Sequence, residues 1–227
     1  DAPPATLQTD TDRNREGTLM TASSTITRKK AAAKPNSVVT PERYAEGMST
    51  FGAWMGAIEK NKDAFQRHYD EWQPDAADID AVRALVQQHG VKALVIGEDW
   101  CPDVWRGLPV MARIGELTGM EVRFFLRDQN KDIMAEFLKD GEFESVPTVV
   151  FYDGNHNYLY HFIERPKTAN AKMAELRKEI LDPAPQEDGP EKDAARAKYR
   201  AATAEMAPQW RHDTLTEIRE QLEAVLK

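Results

Sequence analysis

The stretch VKALVIGEDWCPDVWRGLP (residues 91–109) decides how the chain is read. Its first seven residues are an apolar run bounded by Gly90 and Gly97, the signature of a short strand buried on both faces. Four residues later comes Cys101, the only cysteine of the chain. Pro102 follows at a position that suits the first turn of a helix. A strand that feeds directly into a thiol, with a helix starting at that thiol, places the sulfur among the unpaired N–H groups of a helix N-terminus.

The pattern continues outward from there. Residues 102–119 read as a helix, VRFFL (122–126) as a strand and Lys131–Lys139 as a helix. TVVFYD (148–153) and YLYHFI (158–163) flank Gly154-Asn155-His156-Asn157, a hairpin signal, and residues 168–181 supply a last helix. Strand–helix–strand–helix–strand–strand–helix is an α/β order with parallel and antiparallel strands. Upstream, Asp75–His89 reads as a helix stopped by Gly90. Tyr44, Met48, Phe51, Met55 and Ile58 step by four and three as one helical stripe, with glycines that allow a break near Ser49–Gly52. Phe65, Tyr69 and Trp72 form a second stripe that Pro74 ends. Downstream, DPAPQEDGP (182–190) is a linker by composition, followed by a weak stripe through Ala195, Tyr199, Ala202 and Met206. A strong stripe through Leu215, Ile218, Leu222 and Val225 closes the chain.

The reading divides the chain as a disordered arm (1–40), a helical extension (41–74), an α/β domain (75–181), a linker (182–190) and C-terminal helices (191–227). Residues 1–40 are rich in Ala, Thr, Ser, Pro and Lys and show no sustained periodicity. Arg28, Lys29, Lys30 and Lys34 read as solubilising charges. No apolar segment follows the N-terminal charges as a secretory leader requires, and Met20 is a candidate start.

At 227 residues, 41% hydrophobic and 30% charged, the composition suits a helix-rich protein with much solvated surface. A net charge of −8 without a basic stripe argues against nucleic acid as the partner. No apolar run approaches the roughly 18–20 residues of a membrane span. One cysteine permits no internal disulfide, which fits a reducing, cytoplasmic compartment.

Together the order of elements and the Cys101 loop resemble the thioredoxin family over about residues 75–181. The resemblance rests on Trp100-Cys101 after a strand, on Pro109 eight residues beyond the thiol, on FLRDQNKDIMAEFLKDGEFESVPTVVFYDGN leading into the hairpin, and on Val146-Pro147-Thr148. It implies a thioredoxin-like fold, a central mixed sheet flanked by helices, with N- and C-terminal helical extensions. It further implies that Cys101 is the attacking thiol and that Pro147 is a cis-proline facing it. Trp100, Pro102, Val146 and Pro147 would then line the substrate surface.

Two departures qualify that implication. Val104 stands where thioredoxins carry the resolving cysteine, and Val95 where they carry a buried acid that aids proton transfer. Both strike the dithiol cycle, in which a second thiol releases the mixed disulfide made by the first. Two functions stay open: monothiol exchange at Cys101, resolved by glutathione or another small thiol, and a redox-inactive binding or assembly module. The partner expected is a protein thiol or disulfide, or a small thiol, with no bound cofactor and no metal. Glu98, Asp99 and Asp103 crowd the thiol with carboxylates, and Arg106 is the nearby cation. These charges offset the helix N-terminus, so the reading expects a thiol near its ordinary pKa. Asp103 is read as a helix cap or as a proton acceptor for the thiol. His156 and His161, on opposite faces of a strand, are not read as a ligand pair.

Overall fold

A computed structural model describes residues 36–226; of the arm expected to be disordered (1–40), residues 1–35 lie outside them, whereas Val39 is buried in the core. Four strands form one sheet in the order β2-β1-β3-β4. They are β1 (Lys92–Gly97), β2 (Glu121–Leu126), β3 (Thr148–Tyr152) and β4 (Tyr158–Ile163). β1 pairs in parallel with β2, Val95 opposite Phe124, and antiparallel with β3, Val95 opposite Val149. β3 and β4 close an antiparallel hairpin. Residues 93–97 are all buried, as the uninterrupted apolar run requires of a strand covered on both faces.

Helices α1 (Pro41–Ala45), α2 (Phe51–Ala57), α3 (Lys62–Glu71) and α4 (Ala76–His89) precede the sheet. The stripe from Tyr44 to Ile58 is therefore two helices. Between them Met48 leaves helical geometry and exchanges both backbone hydrogen bonds with Phe124, each 2.9 Å, on the edge of β2. Gly47 makes that approach possible, since a Cβ there would lie 2.5 Å from the Phe125 ring. Thr50 then restarts the helix by accepting from Ala53 N. Asp75 caps α4, accepting from Ala77 N and Asp78 N, and Gly90 ends it at φ 64°.

Helix α5 (Pro102–Thr118) carries Pro109 within it and lies against β1 and β2. The helix expected at 131–139 is shorter, α6 (Lys131–Ala135). It stops because Lys139 and Phe143 form an antiparallel bridge around a turn in which Asp140 and Gly141 are left-handed. The helix expected at 168–181 is α7 (Lys167–Leu176) followed by a π-helical turn at Arg177–Leu181. Pro190, the last residue of the expected linker, is instead the first residue of α8 (Pro190–Glu205). The final helix, α9 (Ala207–Leu226), packs against α4, α5 and β4. Its Leu215, Ile218 and Leu222 join the cluster that holds β1, α4 and α5. No helix among the described residues is long and apolar enough to cross a membrane.

Candidate functional site

The end of β1 and the start of α5 place the thiol. Cys101 is the residue from which α5 springs; its carbonyl accepts from Val104 N at 3.0 Å and Trp105 N at 3.2 Å. The loop before it is fastened to the α2–α3 connection. The Asp99 carboxylate accepts from Glu59 N and Lys60 N at 3.0 and 2.8 Å, and the Asp99 carbonyl accepts from Asn61 Nδ2 and Trp105 Nε1. Across from this loop the Val146–Pro147 peptide is cis. Cys101 Sγ donates toward Val146 O at 3.5 Å, which brings Cys101, Val146 and Pro147 to one place. Gly107 lets the Pro147 ring lie on α5, since a Cβ there would sit 3.2 Å from Pro147 Cγ. Pro102 is exposed. So is Trp100, under the Arg127 guanidinium at 5.1 Å from its ring centre.

The three carboxylates act differently from the simple opposition their spacing suggests. Glu98 is buried, accepts from Asp128 N at 2.7 Å, and is pushed up by that burial. Asp99 is committed to the α2–α3 loop. Asp103 does not cap the helix. Its carboxylate is held by Arg165 at 2.6 Å and faces Arg106 at 3.7 Å. Arg165 is thus a second cation near the thiol, one the local sequence hid because it follows β4, 62 residues further along the chain.

Burial, foremost, pushes the Cys101 thiol above its ordinary value. The N–H groups of Val104 and Asp103 at the helix start pull it back, the Asp103 charge raises it, and Arg165 lowers it. The expectation of an unshifted thiol is corrected for that reason: desolvation outweighs the local charge balance. Iodoacetamide labelling should accordingly show a midpoint above that of an exposed cysteine peptide. Asp103→Asn should move the midpoint down, because it removes a repelling charge and releases Arg165 toward the sulfur. A midpoint below that of the peptide in the unmodified protein would refute the assignment of burial as the main cause.

Val104 and Val95 are both fully buried. No second thiol or carboxylate occupies either place. Among the described residues no three His, Cys, Asp or Glu side chains gather as a metal site. His156 Nε2 meets Val39 O at 2.8 Å, and His161 Nδ1 meets Tyr158 Oη at 2.7 Å.

A parallel–antiparallel sheet, a thiol at the start of the helix after its central strand and a cis-proline against that thiol define a protein of the thioredoxin-fold class. The sequence profile of the family described as Thioredoxin matches residues 48–178, more than half the chain, and the chain belongs to that family. The match takes in α2 and α3, which the sequence reading placed outside the family core. Two solved structures share the fold. One is a protein of unknown function from Pseudomonas aeruginosa, 20% identical, with a TM-score of 0.56, covering 79% of this chain and 94% of its own. The other is an HIV epitope scaffold, 20% identical, with a TM-score of 0.56, covering 80% of this chain and 96% of its own. A search of curated proteins finds no match.

Proposed function

We propose that the protein performs monothiol disulfide exchange at Cys101, with a small thiol such as glutathione taking the part of the absent resolving cysteine. The Cys101 thiolate attacks one sulfur of a partner disulfide, and the other sulfur leaves as a thiolate that takes up the proton Cys101 lost. A small thiol then attacks the mixed disulfide, restores the Cys101 thiol and departs joined to the partner sulfur. Trp100, Pro102, Val146 and Pro147 form the surface that receives the partner. The Val146 carbonyl accepts from the thiol in the resting state, and Asp103, paired with Arg165, sets the charge beside it. A cytoplasmic location suits this chemistry, because a reducing pool supplies the second thiol.

The observation that carries the reading is the seating of a partly exposed Cys101 against the cis Val146–Pro147 peptide, beside an exposed tryptophan. That arrangement exposes one sulfur next to backbone able to pair with an extended peptide. The raised thiol favours the second reading, a binding module in which Cys101 stays protonated. Intact-mass measurement after diamide and glutathione separates the two. One glutathione per native chain, absent in Cys101→Ser, is expected; inertness of the folded protein would put the binding module in front.

A further inference from the structure

A cavity of about 590 Å³ opens beside the first turns of α5, between α3, α8 and the start of α9. Four arginines line it: Arg67, Arg106, Arg200 and Arg211, one from each of those helices. Two carboxylates face them, and neither balances the set. Asp103 is shared between Arg165 at 2.6 Å and Arg106 at 3.7 Å, and the exposed Glu71 comes no nearer than 3.8 Å to Arg211. Arg67 and Arg200 form no ion pair among the described residues.

Arg211 is the most telling of the four. It is only 5% exposed, and its Nε has no hydrogen-bond partner. One Nη donates to His68 Nδ1 at 2.6 Å, so that imidazole nitrogen is an acceptor and the ring is neutral. Burial, reinforced by Arg211 and Arg67, keeps His68 in that form down to about pH 4. A guanidinium nearly withdrawn from water, resting on a neutral ring, with the exposed Glu71 as its carboxylate at 3.8 Å, is a charge only weakly countered. The chain as a whole carries a charge of −8, so these arginines run against its general sign. Trp105, Met173, Tyr199 and Pro208 complete the wall with apolar surface. The volume lies within the roughly 300–1,000 Å³ typical of small-molecule sites.

We propose that this cavity binds a small organic anion, its carboxylate, phosphate or sulfonate group held among the four arginines and its apolar body against Trp105 and Met173. The site needs no chemistry from Cys101 and stands whether or not that thiol exchanges. Arginine suits the task, because its planar fork pairs with such groups through two parallel hydrogen bonds.

The test uses the full chain and 1-anilinonaphthalene-8-sulfonate, an aromatic anion whose fluorescence rises on binding, beside its uncharged counterpart N-phenyl-1-naphthylamine. Arg67 and Arg200 are exposed, so Arg67→Gln and Arg200→Gln leave the core intact. Saturable one-to-one binding of the sulfonate is expected, weakened more than about tenfold in the double variant, the loss of charge-assisted hydrogen bonds. Cys101→Ser should bind the sulfonate as the unmodified protein does. Equal binding of the uncharged compound, an unchanged affinity in the double variant, or no saturable binding would each overturn the proposal.

Discussion

Deletion of residues 208–227 is expected to abolish cooperative unfolding of the protein at room temperature. The reason lies in what α9 buries. Leu215, Ile218 and Leu222 are wholly excluded from water, and Trp210 is 5% exposed. Burying four such side chains contributes on the order of 6–10 kcal/mol before entropy is counted. A typical domain has only about 5–15 kcal/mol of net stability. The helix is also tied down by polar contacts. Arg219 pairs with Asp78 at 2.7 Å, Thr216 Oγ1 donates to the same carboxylate at 2.8 Å, and Tyr160 Oη donates to Ile218 O at 3.3 Å. Removing α9 would expose the apolar faces of α4 and α5 as well as its own. The single change Ile218→Ala should cost about 2–5 kcal/mol through the cavity it leaves. Urea titration of both variants measures the effect, and a midpoint unchanged by the deletion would exclude α9 from the stability of the fold.

The stripe that motivates this experiment was legible because helical periodicity is a local property of the chain. So were the strands: VKALVIG, VRFFL and the hairpin around Gly154 carry burial and turn chemistry within a few residues of one another. The break between α1 and α2 was only partly legible. Glycines marked where it could fall, but the pairing of Met48 with Phe124 depends on a strand more than 70 residues away in sequence. The end of α6 at Ala135 was hidden for a similar reason, since the Lys139–Phe143 bridge competes with a helix whose composition is otherwise sound.

The candidate site divides along the same line. Cys101, Pro102 and Trp100 announce themselves on one short loop, and Pro147 through the family resemblance. Arg165 comes to Asp103 from the far end of β4, and the cavity arginines come from four helices. No window of sequence contains either set. The thiol's titration was misjudged because charges can be counted along the chain, whereas desolvation exists only after folding.

Val104→Cys is expected to turn a monothiol loop into a working dithiol. The unmodified protein should not reduce insulin with a dithiol donor at thioredoxin-like rates, because its mixed disulfide waits on an external thiol for release. Residue 104 lies in the first turn of α5, its N–H bonded to the Cys101 carbonyl at 3.0 Å, and its side chain is wholly buried beneath the loop. Cysteine is smaller than valine, so the substitution fits without strain and costs about 1 kcal/mol in lost packing. Oxidation should then consume both thiols of the variant, and reduction should restore them. Insulin reduction should rise with pH, since burial holds the Cys101 thiol above its ordinary value and the thiolate is the attacking form. Two free thiols after oxidation would mean that the loop does not bring residues 101 and 104 together, and the thioredoxin-like reading of the site would fail with it. A disulfide that forms without insulin turnover carries a different meaning. The loop geometry would stand, and the missing function would be traced to Val95, where a fully buried aliphatic side chain between Phe124 and Val149 has no proton to give or take.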